Sequence, residues 1–325
     1  NKMKTKLIYL MSIIFSLGVY NCDEADGGSS QSPPNASTFT SIEDLRNSLK
    51  PDPHVETVDP SASFSISGPD GTTITCTGNS ILDSSGNQVT DNVIISLYEF
   101  NTVDEMILAK APTTSNGNLL VTGGSFEVTA ENATTGEELQ FTSWGCQCSL
   151  NIQTNPSTTH QNQMILFDGN TNNVDNNGLE VVDWDPANAD GGTGAQGVFT
   201  AFGIDIGFSN CDVLYDMAGQ NGTQFEATVS GVTDYTSNVE VWLIIDDFPS
   251  VVMLTYVNST PALQTYLGSI PTGLNGTLIG IHIDDDNYLK FGSLPITVAG
   301  DDSFNIDVEY GTEAEFVALV ESLVN

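Results

Sequence analysis

The sequence predicts a mainly β protein, built as two β-sandwich-like domains with a short N-terminal helix and a C-terminal helix. Three observations carry that reading. Apolar residues recur with period two in short runs, turn dipeptides separate the runs, and helical spacing is confined to a segment near residue 45, another at the chain's end and one short interruption near residue 105. Apolar residues make up 39% of the 325-residue chain, enough for a globular core, and the length suits two domains.

The elements follow in order. Lys2, Lys4 and Lys6 precede an apolar run from Leu7 to Tyr20, a basic region and apolar core typical of a secretory leader and too short to span a bilayer. Met3 reads as the initiator, and residues 1–21 as the signal peptide. Cys22 follows the apolar run directly, the position at which exported lipoproteins are acylated. A plain leader with an incidental cysteine is the competing reading. Residues 23–38 (DEADGGSSQSPPNAST) are acidic, small and free of large apolar groups, the composition of a flexible tether. Residues 22–60 therefore read as a lipidated tether with one short helix over 39–50. Ser41 caps that helix with Asp44 three residues on, Ile42, Leu45 and Leu49 share a face, and Pro51 stops it.

Residues 61–155 form the first domain. FSISG, TTITCT, NVIISLYEF, SFEVTAE, EELQF and CSLNI alternate, with turns at Asp70-Gly71, Gly86-Asn87 and Asn116-Gly117. Val103, Met106 and Ile107 interrupt the pattern at helical spacing. Residues 156–325 form the second domain, where VEVWLIID, VVMLTYV and TLIGIHID are more continuously apolar, as strands covered on both faces are. Thr312 and Glu315 open a closing helix whose Phe316, Leu319, Val320 and Leu323 form one stripe to dock on a sheet.

Charge excludes one class outright. With 42 Asp plus Glu against 7 Lys plus Arg, net −35, the chain cannot assemble the basic face that nucleic acid requires. Removing residues 1–21 leaves Arg46, Lys50, Lys110 and Lys290 as the only Lys and Arg. So acidic a chain is repelled by anionic headgroups, and anchoring to the bilayer has to come from acyl chains on Cys22. A saline habitat or bound divalent cations would relieve the self-repulsion.

Four cysteines remain beside Cys22: Cys76, Cys146, Cys148 and Cys211. In an exported chain an even remainder favours disulfides. Cys146 and Cys148 share a strand face and cannot readily bond to each other, so each needs Cys76 or Cys211. A four-thiolate zinc site is the alternative.

The segment from Gly71 to Glu131 contains DGTTIT, LDSSGNQVTDNVIISLYEF, DEMILAKAPTTSNGNLLVTGG and SFEVTAE, and Gly207-Phe208-Ser209-Asn210-Cys211-Asp212 precedes Tyr215. These strings resemble a module of uncharacterised exported bacterial lipoproteins, with Phe208 where that family has Trp. The resemblance implies a lipid-anchored multi-domain β protein whose sandwiches are Ig-like or carboxypeptidase-regulatory-like, and it brings no catalytic residues.

Chemistry-bearing residues are sparse. His282 shares a strand face with Asp284, while His54 and His160 lie in polar segments; no GxSxG, HExxH, P-loop or GxGxxG string is present. Asp168, Asn170 and Asn172 stand at spacings 1, 3 and 5 of a calcium loop, and Asn173, Asp175, Asn177 and Gly178 at 1, 3, 5 and 6 of an overlapping one. A polar hairpin loop explains the same residues. Asp183 and Asp185 with Asn188 and Asp190 form a weaker candidate. Trp144, Trp184 and Trp242 discriminate among functions, since exposed indoles suit sugar stacking and buried ones are core; Trp242 is expected in the core. The functional expectation is a non-catalytic, lipid-anchored cell-envelope protein, outer-membrane-anchored and surface-exposed, acting as a binding or structural adhesion-type module for a protein or glycan. The alternative is an envelope hydrolase using paired carboxylates on polysaccharide or peptide.

Overall fold

The computed structural model describes residues 35–142, 144–187, 197–256 and 261–324. The signal peptide, Cys22, Asn188 and Asp190 lie outside them. Residues 35–325 form one compact unit of antiparallel sheets with few helices, the mainly β sandwich architecture that the alternation predicts.

The first sandwich pairs a seven-stranded sheet with a four-stranded one. In spatial order the larger sheet runs His54–Val58, Val93–Phe100, Asn118–Asn132, Gly207–Leu214, Ile165–Val174 and Glu180–Pro186, with Thr114–Ser115 added beside Asn118–Asn132. The smaller runs Val198–Phe202, Cys146–Asn151, Thr73–Cys76 and Phe64–Ser67. Alternate residues such as Ile66, Ile74, Val93, Ile95, Leu97, Phe126, Val128, Leu150 and Phe199 fill the space between them. The turns fall where the dipeptides place them: Gly71 at φ +96°, and Asn116 and Gly117 at +47° and +78°, the left-handed pair that a tight hairpin demands.

The second sandwich sets a five-stranded sheet (Val251–Met253, Val239–Ile245, Asn275–Ile283, Leu289–Thr297, Glu309–Tyr310) against a smaller mixed sheet containing Glu226–Val229 and Ser303–Ile306. Val239, Val241, Leu243 and Ile245 face this sandwich, whereas Trp242 and Ile244 face a layer of helices. Strand Val239–Ile245 is thus buried on both faces, as its unbroken apolar run implies. The helices Ile42–Leu49, Val103–Leu108 and Glu313–Leu323 supply that outer layer through Leu45, Met106, Phe316 and Val320. Both terminal helices are capped as expected: Ser41 Oγ accepts from Asp44 N at 3.1 Å, and Thr312 and Glu315 form a reciprocal capping box.

Two expected boundaries move. The division at residue 155 runs through a sheet, because Gly207–Leu214 pairs with Asn118–Asn132 and Ile165–Val174 pairs with Gly207–Leu214 in turn, completing the first sandwich. Sequence alternation marks strands but not which sheet each joins. That 15-residue strand also serves both bodies, with Leu119 and Val121 in the second core and Phe126, Val128 and Ala130 in the first. Within the expected tether, residues from 37 onward are folded. Ser37 N donates to Gly311 O (3.1 Å), Phe39 N to Asn287 O (2.9 Å) and Leu289 N to Ser37 O (2.9 Å), and His54–Val58 is a sheet strand.

Candidate functional site

Glu240 is the one acid in the apolar strand Val239–Ile245, fully buried on the face that meets the helices. An isolated carboxylate there would be very costly, so partners are required. The N-terminal helix supplies one: Arg46 Nε donates to Glu240 Oε2 at 3.1 Å, Nη2 meets the same oxygen, and Nη1 donates to Ile107 O at 2.6 Å. Trp242 Nε1 adds a bond to that oxygen at 3.0 Å. Burial pushes the Glu240 carboxyl up, but the Arg46 and Lys110 charges and these bonds outweigh it and hold the group below its ordinary range.

Lys110 and Asp175 complete the cluster. Lys110 follows the helix Val103–Leu108 at φ +59°, the left-handed closing position where glycine is usual, with Lys110 N donating to Ile107 O and Ala111 N to Met106 O. Its ammonium lies 2.7 Å from Asp175 Oδ2 and 3.8 Å from Glu240 Oε1. Asp175 opens the turn of the hairpin joining Ile165–Val174 to Glu180–Pro186, and its Oδ1 accepts from Asn177 N (2.8 Å) and Leu179 N (3.0 Å). Asn176 Nδ2 anchors that tip to Val239 O at 2.9 Å. The result is a buried, charge-balanced quartet of Arg46, Lys110, Glu240 and Asp175, drawn from four separate elements.

A cavity of about 460 Å³ opens beside the quartet, lined by Arg46, Lys50, Phe100, Leu108, Leu179 and Phe208 among others. It gathers three of the four Lys and Arg residues of the described chain. None of these is free. Lys50 Nζ lies 3.3 Å from Glu127 and 4.3 Å from the Tyr98 ring centre; Lys290, elsewhere, lies 3.1 Å from Asp284 Oδ2 and 4.3 Å from the Tyr310 ring centre. Every Lys and Arg among the described residues is therefore committed internally, and the outer surface is left acidic.

Cys76 and Cys146 sit opposite each other on neighbouring strands and form a disulfide, with Cα atoms 4.1 Å apart. Cys148 and Cys211 are free and buried in the first core, Cys211 Sγ against Met164 Sδ at 3.7 Å. Only one of the two expected bridges is thus present, and no four-thiolate set remains. Burial pushes the Cys148 thiol up to about 12, so neither a thiolate nucleophile nor a ready ligand results.

The calcium-spaced residues divide. Asp168, Asn170 and Asn172 lie within strand Ile165–Val174, not in a loop; Asp175 and Asn177 lie in the hairpin turn, where Asp175 is occupied by Lys110. Cross-strand register sets Asp168 opposite Asp185 and Asn170 opposite Asp183 on one face. Burial, then the nearby Asp205 and Asp185, raise the Asp168 carboxyl, and burial raises Asp183, which accepts from Asn116 N at 2.9 Å. Among the described residues no group of three or more His, Cys, Asp or Glu is placed to hold a metal ion. His282 Nδ1 meets Asn238 O at 2.9 Å, and His54 Nε2 meets Glu56 at 2.9 Å.

The Asn210-Cys211-Asp212 string lies at a register shift of strand Gly207–Leu214 and is wholly buried. Asn210 Nδ2 donates to Asp212 Oδ2 at 2.7 Å, Thr122 Oγ1 donates to Asn210 Oδ1 at 3.3 Å, and Gly124 N donates to Thr122 Oγ1 at 3.1 Å. Gly124, at φ +128°, would carry a Cβ only 3.0 Å from Asn101 Oδ1, so glycine lets the polar network close. Burial drives the Asp212 carboxyl well above its ordinary range. This motif thus builds a structural polar core.

Of the tryptophans, Trp184 and Trp242 are fully buried, Trp184 donating to Pro112 O at 2.6 Å. Trp144 is 55% exposed and sits at φ +67°, a backbone conformation that bulky residues rarely adopt. Its ring lies over Gly203, where a Cβ would stand 3.3 Å from the indole. Phe202, adjacent in sequence, is 49% exposed. Trp144 was legible as a candidate; the quartet was not, because nothing in the order of residues joins positions 46, 110, 175 and 240.

Comparison with protein-family models and with curated protein sequences finds no match to this chain. No helix of the described residues is long and apolar enough to cross a membrane.

Proposed function

We propose that the chain is a non-catalytic, lipid-anchored protein of the bacterial cell envelope that acts as an adhesion-type binding module, held by acylated Cys22 and presenting Trp144 to a glycan. The observation that carries the binding reading is the Trp144 platform: an indole held out in a strained turn, packed over Gly203 and more than half exposed. Backbone strain retained at an exposed aromatic is the kind of feature that binding sites keep. The acidic surface repels anionic polymers and so favours a neutral or cationic glycan.

Two arms test it. Trp144 emission is titrated with soluble neutral β-glucan and chitosan oligosaccharides, alongside Trp144→Ala; saturable change lost in the variant is expected, and identical behaviour of the two proteins refutes the platform. Protease shaving of intact cells, with Cys22→Ala in parallel, tests the anchor. Digestion of the wild type together with release of the variant is expected; protection until the envelope is broken refutes surface display.

The hydrolase reading stands second, supported by Asp168, Asp183, Asp185 and Asp205, where burial first and neighbouring carboxylates second raise Asp168 and Asp183. Loss of polysaccharide or peptide cleavage in Asp168→Asn would move it to first place.

A further inference from the structure

The buried quartet holds an amine and a carboxyl in contact, largely out of reach of water. Lys110 is 8% exposed, the Asp175 side chain is fully buried, and Nζ stands 2.7 Å from Oδ2. Asp175 Oδ1 is gripped by two backbone N–H groups, from Asn177 and Leu179, the arrangement that stabilises an oxyanion. Glu240 Oε2 is taken by Arg46 and Trp242, yet Oε1 has no hydrogen-bond partner and lies 3.8 Å from Nζ. Lys110 also holds the left-handed position that glycine fills without strain, so the lysine side chain is kept there against a steric cost.

We propose that Lys110 and Asp175 condense into an intramolecular isopeptide bond, with Glu240 relaying protons. The ammonium gives a proton to Glu240 Oε1, and the free amine attacks Asp175 Cγ while Oδ1 gathers negative charge against the two backbone N–H groups. The Cγ–Oδ2 bond then breaks. Oδ2 leaves as water, carrying two of the three protons first held by Nζ, one of them returned through Glu240; the third stays on the amide nitrogen. Atoms and charge balance without any oxidant or cofactor. Two considerations favour the direction. Condensation removes one positive and one negative charge from a region where each is poorly solvated, leaving Arg46 and Glu240 as a matched pair. The folded chain also holds the reacting groups at an effective molarity on the order of 10⁵ M or more.

The small number of basic residues makes the test direct. Beyond residue 21, trypsin acting on the denatured, disulfide-reduced full chain cuts after Arg46, Lys110 and Lys290, Pro51 shielding Lys50, and releases 47–110 and 111–290 as separate fragments when the Lys110 side chain is free. An isopeptide bond blocks cleavage at Lys110, and mass spectrometry then finds a single 47–290 product one water lighter than its sequence. Separate fragments at full mass from the wild-type chain overturn the proposal and leave an ion pair. Lys110→Arg keeps the charge but cannot form the amide, so cleavage after residue 110 is expected to return. Glu240→Gln is expected to keep the lysine free, with near-UV dichroism checking that the fold persists; a folded Glu240→Gln chain that still yields the linked product removes the relay role.

Discussion

The disulfide offers the cleanest energetic test of the first sandwich. Cys76 and Cys146 are 70 residues apart, and the loop they close contains the whole of Val93–Phe100 and Asn118–Asn132, two strands of the larger sheet. Opening it frees the unfolded chain while leaving both sulfur atoms available to the core. The loop-closure relation gives about 4 kcal/mol for a closure of that length. With a urea slope near 3 kcal/mol/M, the midpoint should fall by about 1.3 M on reduction. Equilibrium urea titrations with and without a phosphine reductant, followed by tryptophan fluorescence, read this directly, since Trp184 and Trp242 are buried and Trp144 is not. The slope should rise slightly, because the reduced unfolded chain exposes more surface. A midpoint change equivalent to less than about 1 kcal/mol would refute the reasoning and mean that the unfolded chain keeps the two strands together without the bond.

Three further outcomes are expected. Iodoacetamide at pH 8 should leave Cys148 and Cys211 unmodified in the native protein and alkylate both in urea, because burial keeps their thiols protonated; rapid native labelling would contradict that burial. Arg46→Met should cost about 3–5 kcal/mol by leaving Glu240 without its main partner, and Arg46→Met with Glu240→Met should recover much of it; equal losses in single and double variants would remove the coupling. Asp212 holds its proton in the fold above the pH at which the unfolded chain loses it, so wild-type stability should fall as pH rises from about 4 toward the folded pKa. Asp212→Asn lacks that dependence and should gain on the wild type across the same window, and a difference that stays flat from pH 4 to pH 9 would count against a neutral Asp212.

Much of the architecture was legible because it depends on local rules. Period-two runs became strands, Asn116-Gly117 became a hairpin turn, Ser41 and Thr312 became caps, and the continuous apolar run at 239–245 became a strand buried on both faces. Partner choice was not legible. Strand Ile165–Val174 pairs with Gly207–Leu214 and so belongs to the first sandwich, a pairing that depends on complementary faces distant in sequence. The helix Ile42–Leu49 was visible, yet nothing in its sequence gave Arg46 a partner; only docking against Val239–Ile245 reveals its role. Glu240 did carry a local signal, as a lone acid inside an apolar run, which implies a buried counter-charge without naming it. Trp144 became distinct from Trp184 and Trp242 only through its positive φ and its exposure, neither of which is encoded by residue type.

The clasp of residues 37–39 onto Asn287, Leu289 and Gly311 sets a mechanical load path. Tension applied at residue 35 enters the five-stranded sheet of the second sandwich directly and is backed by Arg46 gripping Glu240 a few residues later. The four-stranded sheet of the first sandwich lies off that path. Tension at residue 35 would thus strain the clasp before it distorted the turn carrying Trp144, so the two ends of the folded body would answer the same pull in sequence rather than together.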